Sequence, residues 1–243
     1  MPTSALAGQT VVLIGGSAGI GLETGRLARA EGADVILTGR NQDRLDAAAR
    51  DIGGAPRTAA FDATDPAAMA RFFQDLPAPI DHVLITAGGP RYGPLLEMDP
   101  AEVALAVSDH IVLALGVARN AASRMRPGGT LLLMGGTGGR RISRGLGIVS
   151  AGTAALPPFI ASLALELAPV RANLIAAGFV DTPLSARLLG DDLDARREEL
   201  RTTLPIGRVV TPQDVAALAV HIMTNTALTG ATYDIDGGQQ FVH

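Results

Sequence analysis

Cysteine is absent from this 243-residue chain. That excludes disulfides, a thiolate nucleophile and thiolate-based metal sites, and makes a reducing compartment the expected setting. Lysine is absent as well: all 20 basic residues are arginine. Tyrosine occurs only twice, as Tyr92 and Tyr233. The four histidines, His82, His110, His221 and His243, are scattered without metal-ligand spacing, so no metal site is expected. The formal charge of −4 comes without a long basic block, which argues against a phosphate footprint for nucleic acid. The apolar run Val11–Ile14 is far too short for a signal or a membrane span, and Met1 to Ala7 carry no basic residue. A cytoplasmic protein with no membrane partner is the expectation.

What the chain does have is a repeating alternation. Short runs, most of them rich in Val, Ile and Leu, fall at Thr10–Ile14, Asp34–Thr38, Arg57–Phe61, His82–Thr86, Thr130–Met134, Ala172–Ala176 and Thr232–Asp236. Runs of this length and composition read as strands buried on both faces of a parallel sheet. Helical patterns lie between them. Asp65-Pro66, Asp99-Pro100 and Thr211-Pro212 each place a capping side chain before a proline suited to the first helical position. The expected fold is α/β: a doubly wound parallel sheet of the Rossmann kind, about seven strands with helices on both faces. No repeat or linker divides it, so residues 1–243 read as one domain. Residues 179–206 break the alternation just beyond the Ala172–Ala176 strand. Ligands of such sheets bind beyond the carboxyl ends of the strands, so this segment is a candidate substrate lid. A pair of solvated surface helices is the plainer alternative.

The first strand runs directly into Gly15-Gly16-Ser17-Ala18-Gly19-Ile20-Gly21, and an amphipathic helix pattern follows. Gly15 permits a tight turn, Gly19 lets backbone approach a pyrophosphate, and Gly21 lets the helix pack closely on the strand. The helix start then offers free N–H groups and a positive dipole end to phosphates. A glycine pattern alone is weak, but here the strand before it and the helix after it are both present. The chain therefore reads as a dinucleotide binder. Where an NAD-selective site carries an acidic residue at the end of the second strand, this chain has Gly39. Arg40 follows and suits a 2′-phosphate, so NADP(H) is expected over NAD(H).

The spacing Gly-x3-Gly-x-Gly resembles that of the short-chain dehydrogenase/reductase family, and further landmarks extend the resemblance over nearly the whole chain. Thr38-Gly39-Arg40 closes the second strand and Phe61-Asp62-Ala63 the third. Ala87-Gly88 resembles the family's Asn-Ala-Gly, with Thr86 for Asn. Gly178 to Thr182 resembles its Pro-Gly loop, with Ala177 for Pro. Asp236-Gly237-Gly238 matches its final signature. The resemblance implies that Gly15, Ser17, Gly19, Ile20 and Gly21 hold the pyrophosphate. It implies that Asp62 and Ala63 border the adenine, with Asp62 as a turn former the competing reading, that Ala87 and Gly88 pass under the ribose, and that Val180 and Thr182 meet the carboxamide. It also implies a homo-oligomer, a dimer or tetramer, built on the apolar segments Ile111–Ala118 and Ala154–Ala168.

The same resemblance implies carbonyl reduction or alcohol oxidation on a small molecule, with a tyrosine handling the proton, a lysine four residues on lowering its pKa, and a serine placing the substrate oxygen. Here the sequence departs. Counting back from Glu166-Leu167-Ala168-Pro169, the tyrosine position falls on Val149, the lysine position on Thr153 and the serine position on Gly135 or Gly136. Pro157-Pro158 removes two backbone donors from the matching helix, which suggests a regular helix only from about Pro157, with residues 145–156 irregular. His110, where the family has a polar relay residue, and Tyr92, in the loop after Ala87-Gly88, are the candidate proton-handling residues; a core histidine and a packing tyrosine are the competing readings. Gly135 to Arg141 offers backbone N–H groups and arginines to an anionic substrate, with a flexible turn carrying solvated arginines as the equal alternative. Two functions stay open: an NADP(H)-dependent oxidoreductase with a rebuilt proton-transfer site, or a dinucleotide-binding sensor or partner protein without turnover.

Overall fold

The computed structural model describes residues 4–140 and 142–242, apart from the side chains of residues 107–109. Seven parallel strands form one sheet: β1 (Thr10–Ile14), β2 (Asp34–Gly39), β3 (Arg57–Ala60), β4 (Ile80–Ile85), β5 (Met125–Gly136), β6 (Arg171–Ala177) and β7 (Thr232–Ile235). Their order is β3-β2-β1-β4-β5-β6-β7. The expected doubly wound Rossmann architecture is therefore what the chain forms. The order reverses between β1 and β4, and the loops leaving those two strands diverge to open a crevice there.

Among the described residues the helices are α1 (Gly19–Ala30), α2 (Gln42–Ile52), α3 (Pro66–Asp75), α4 (Pro100–Val107), α5 (Leu113–Ala121), α6 (Gly147–Glu166), α7 (Pro183–Leu189), α8 (Leu193–Thr203) and α9 (Pro212–Thr224). Alternate strand residues point to opposite faces. Val12, Ile14, Val83 and Leu131 meet α3, α5 and α6 on one side. Val11, Leu13, Leu84 and Leu132 meet α1, α2 and α9 on the other. The Asp-Pro and Thr-Pro starts are realised: the Asp65 carboxylate accepts from the Ala67 N–H at 2.8 Å, and the Asp99 carboxylate from Ala101 at 2.7 Å. Thr211 and Asp214 form a reciprocal capping box.

One expectation fails. The segment from Gly147 to Leu156 is not irregular; α6 runs unbroken through Pro157 and Pro158. Each proline removes an intrahelical bond and crowds the carbonyl four residues back, a local cost of about 3 kcal/mol. Packing overrides it, because Ile148, Thr153, Leu156, Ile160 and Leu163 are all buried. The Thr153 hydroxyl also bonds back to the Val149 carbonyl at 2.9 Å. The run Pro100–Arg124 and helix α6 are long and apolar enough to cross a membrane, yet both α5 and α6 pack on the sheet.

Candidate functional site

The glycine loop is shaped by contact with its neighbours. Gly15 has φ +107°, and a Cβ there would lie 2.6 Å from Thr86 Oγ1 and 2.7 Å from the Ala87 nitrogen. A Cβ on Gly21 would lie 2.3 Å from the Gly15 carbonyl oxygen. Both positions therefore exclude any side chain. The Thr86 hydroxyl donates to the Gly15 carbonyl at 2.9 Å, and the Thr86 and Ala87 N–H groups both donate to Ile14 at 2.8 Å. Buried Thr38 donates to the Leu13 carbonyl at 3.2 Å from the other side. The loop is thus fixed between β2 and β4 at the switch point.

Helix α1 begins on this loop without a side-chain cap. Its N-cap is Ala18, no side chain accepts from its first turn, and that turn holds no acidic residue. By contrast α2, α3, α7 and α9 start under the side chains of Asn41, Asp65, Thr182 and Thr211. The α1 N–H groups are left for an external anion, as a pyrophosphate requires. A Cβ on Gly19 would meet Thr182 at 3.4 Å, so Thr182 borders the loop from the far side of the crevice. A Cβ on Gly39 would lie 3.3 Å from the Ser17 hydroxyl, which brings Ser17 to the end of β2 beside Arg40. Arg40 is exposed, and no ion pair among the described residues holds it. Asp62 forms a turn: its carboxylate accepts from the Thr64 N–H at 2.9 Å and the Thr64 hydroxyl at 2.8 Å. Those bonds, helped by the Arg40 charge, hold it below the usual carboxylate range. The adjacent Ala63 packs on the core. Gly88 takes φ +97° just past Ala87. Val180 is buried and pairs as an isolated bridge with Val210.

A model of the family described as enoyl-(acyl carrier protein) reductase matches residues 15–240. An uncharacterized oxidoreductase of Mycobacterium tuberculosis is 30% identical, over 96% of this chain and 92% of its own length. The chain belongs to the short-chain dehydrogenase/reductase family. An NADP-dependent (R)-specific alcohol dehydrogenase of Lentilactobacillus kefiri is 29% identical, over 97% of this chain and 98% of its own. Among solved structures, BdcA in complex with NADPH superposes with a TM-score of 0.85 at 26% identity, covering 96% of this chain and 95% of that one.

At Val149, Thr153 and Gly136 the structure has a continuous helix face against the end of β5. Val149 and Thr153 lie one turn apart on α6, and a Cβ on Gly136 would meet Thr153 Cγ2 at 3.4 Å. A cavity of about 190 Å³ opens there between Gly136, Gly139, Thr153, Ala154 and Pro157. A larger one, about 350 Å³, lies at the outer edge between β3 and α3 and touches none of the glycine-loop residues. Beside Val149, the buried Ser150 hydroxyl has no hydrogen-bond partner. Sequence reading passed over Ser150, since nothing in an apolar helix pattern marks one buried serine as unsatisfied.

The two candidate proton-handling residues sit on elements that pack on this end of α6. His110 lies in a π-helical turn, Ser108–Val112, that joins α4 to α5 and touches α6. It is half-buried, with Nδ1 3.2 Å from the Ala106 carbonyl. Tyr92 lies in a loop tied to the approach of α6 by the Gly93 N–H, which donates to Gly145 at 2.9 Å. Its ring is half exposed, and burial of the remainder raises its pKa. The arginine expected to receive an anionic substrate is committed elsewhere. Arg140 pairs with Asp234 and donates to Gln240 at 3.0 Å, while Thr137 is buried. Arg141 lies outside the described residues. Among the described residues, no three His, Asp or Glu side chains gather as a metal site.

Residues 179–206 contain α7 and α8. Arg197 of α8 makes a bidentate bond to Asp181, Nε to Oδ2 at 2.9 Å and Nη2 to Oδ1 at 2.8 Å, and so anchors this segment to the loop after β6.

Proposed function

We propose that the chain is an NADP(H)-dependent oxidoreductase that exchanges a hydride with a carbonyl or alcohol substrate through a non-standard proton-transfer site. The observation that carries the reading is the uncapped start of α1, held in a loop where Gly15 and Gly21 leave no room for a side chain. Bound there, the cofactor supplies or accepts the hydride at its nicotinamide ring. The first-turn N–H groups of α1 take the pyrophosphate, and Ser17 with Arg40 takes the 2′-phosphate. Asp62 and Ala63 flank the adenine, Ala87 and Gly88 the ribose, and Val180 and Thr182 the carboxamide. The segment 179–206 acts as a lid that shuts water out, with Asp181–Arg197 as its latch. The cofactor named for the alcohol dehydrogenase relative and for the BdcA complex supports NADP(H).

Reducing a carbonyl leaves an alkoxide that must gain a proton. The Thr153 hydroxyl donates into its own helix, and Val149 and Gly136 have no proton to give. His110 is then the group best suited to exchange it, with Nδ1 turned to the Ala106 carbonyl and Nε2 left for substrate or water. Tyr92, with its pKa raised, keeps its proton at neutral pH and serves only as a donor. A second reading, cofactor binding without turnover, is favoured by the replacement of all three positions at Val149, Thr153 and Gly136.

Exposed Leu105 and Val112 on one face, and Leu165 of α6 on another, suit contact with further copies of this chain, so a homo-oligomer is part of the proposal. With no basic block and no cysteine, the setting is cytoplasmic and the partner a small molecule, not nucleic acid or membrane. The test is a fluorescence titration with NADPH and NADH, followed by NADPH oxidation over a carbonyl panel. Tight NADPH binding with turnover supports the enzyme; tight binding without it moves the assignment to the sensor. No binding of either cofactor overturns both.

A further inference from the structure

Two consecutive glutamines follow β7, and they reach in different directions. The turn that carries them is rigid. The buried Asp236 carboxylate accepts from the Gly238 N–H at 2.8 Å and the Gln240 N–H at 2.9 Å, and Gly237 and Gly238 take φ of +64° and +85°. From this turn Gln240 turns back toward β5, accepting from Arg140 and donating to Asp234 at 3.1 Å. Gln239 goes the other way. Its side-chain oxygen accepts from the Phe179 N–H at 2.7 Å, 60 residues back in the chain.

That bond falls in the loop joining β6 to the lid. Along this loop the N–H groups of Gly178, Asp181 and Thr182 have main-chain or local partners. The Gly178 N–H donates to Ile235, the Asp181 N–H to Val210 at 3.0 Å, and the Thr182 N–H to the Ser185 hydroxyl at 2.8 Å. Phe179 alone of these is held by a side chain from outside the segment. The approach is close: a Cβ on Gly178 would lie 2.5 Å from Gln239 Oε1 and 2.7 Å from Asp236 Cβ. The same turn also meets the far end of the lid, because a Cβ on Gly237 would lie 2.7 Å from Ile206 and one on Gly238 2.6 Å from Pro205. Both ends of residues 179–206 are thus set against one turn.

We propose that Gln239 is a positioning residue: its bond to the Phe179 N–H sets the backbone next to Val180 and Thr182, and so the affinity for the nicotinamide half of the cofactor. The inference rests on the cofactor reading above. It makes a prediction that simple packing does not, because the adenosine half binds at α1, Arg40 and Asp62, none of which Gln239 touches.

The test compares wild type, Gln239→Met and Gln240→Met. Methionine keeps the length of the side chain and removes the acceptor, and the second variant removes equal polarity from the same turn while sparing the Phe179 bond. Each is titrated with NADPH and with adenosine 2′,5′-diphosphate, which lacks the nicotinamide half. Amide hydrogen exchange of residues 178–182 is followed without ligand. For Gln239→Met the expected result is a loss of NADPH affinity of about three- to tenfold, the range for one net hydrogen bond. Affinity for the fragment stays unchanged, and exchange at 178–182 quickens. Gln240→Met leaves all three near wild type. Equal losses for both ligands, or no loss of NADPH affinity, overturn the proposal, and so does unchanged exchange in Gln239→Met. A wild type that binds neither ligand refutes the cofactor reading instead, and is separable because it involves no variant.

Discussion

Arg171 opens β6 at the amino-terminal end of the strands, opposite the glycine loop, and only 6% of it is exposed. Among the described residues no carboxylate pairs with it. Its guanidinium donates to five main-chain carbonyls instead: Nε to Gly128 at 3.1 Å, Nη1 to Ile222, Asn225 and Leu228 at 2.9, 3.1 and 3.0 Å, and Nη2 to Met223 at 2.8 Å. Ile222 and Met223 lie in the last turn of α9, where orphan carbonyls and the negative end of the helix dipole favour a cation. Burial lowers the arginine's pKa, the direction expected for a cation compensated only by dipoles. In Arg171→Met the bonds to Gly128, Asn225 and Leu228 are partly exposed, so water replaces the guanidinium there at little net loss. The bonds to Ile222 and Met223 are buried, and each abandoned acceptor costs about 1–3 kcal/mol. The expected destabilisation is thus about 4 kcal/mol, equivalent to a fall in Tm of about 8–16 °C for a domain of this size. Arg171→Lys, with three donors for five acceptors, should fall between. The assay is urea unfolding by far-ultraviolet circular dichroism, with the m-value checked for constancy. NADPH affinity measured below the transition should not change, since six residues of strand, about 20 Å, separate Arg171 from the site end of β6. A loss under about 1 kcal/mol at constant m would refute the reasoning, because it would mean the α9 carbonyls hydrate without cost.

Arg40→Ala should narrow the gap between NADPH and NADH affinity by about 1–3 kcal/mol, as read by paired titrations; equal affinities in the wild type would remove the basis for the 2′-phosphate assignment. On a verified substrate, His110→Ala should lower kcat by about 10²–10⁴-fold with NADPH affinity nearly unchanged, and Tyr92→Phe is the parallel test; full activity in both would exclude either as the acid. His82, buried on β4 with Nε2 2.6 Å from Gln9, has its pKa lowered to about 4, chiefly by burial, with Asp81 opposing and Arg171 adding to the shift. Because the unfolded chain takes up this proton near pH 6.5 and the folded one only near 4, the stability is fully present above about pH 6.5. It is lost as pH falls toward 4, by about 3 kcal/mol in all. Urea midpoints across that window should flatten in His82→Gln, and an unchanged slope would show that other groups carry it.

What could be read from the sequence was whatever is encoded within a few residues. The central strands β1, β4 and β6 are legible because burial on both faces demands runs of Val, Ile, Leu and Ala, and the expected bounds of β1 match to the residue. The starts of α3, α4 and α9 came through because a cap and its proline are adjacent. The glycine loop came through because the constraint on Gly15 and Gly21 is steric and local to one turn. Where the reading went wrong on α6, it gave local propensity precedence over packing: two prolines argue against a helix, but five buried side chains on one face hold it against the sheet. The π-helical turn at Ser108–Val112 had no local signal, and it decides how His110 is presented.

The site's supporting bonds fall in a different class. Arg140 pairs with Asp234, 94 residues away; Asp181 and Arg197 are 16 apart, and Phe179 and Gln239 are 60 apart. No periodicity or spacing connects such pairs. The Arg140–Asp234 and Phe179–Gln239 pairs form because the parallel order β5-β6-β7 brings the ends of three strands side by side, and Asp181–Arg197 because α8 folds back on the loop after β6. The glycine loop, the start of α1 and Arg40 are thus written in one contiguous stretch, whereas the end of the sheet beside α6 and residues 179–206 is assembled from loops that the strands align. That division explains why the dinucleotide-binding reading could be made from residues 10–40, while the partners of Gln239 and Arg140 are visible only in the fold. It also implies that substitutions far along the sequence, in the turn after β7, can act on the nicotinamide end while leaving the residues of the glycine loop untouched.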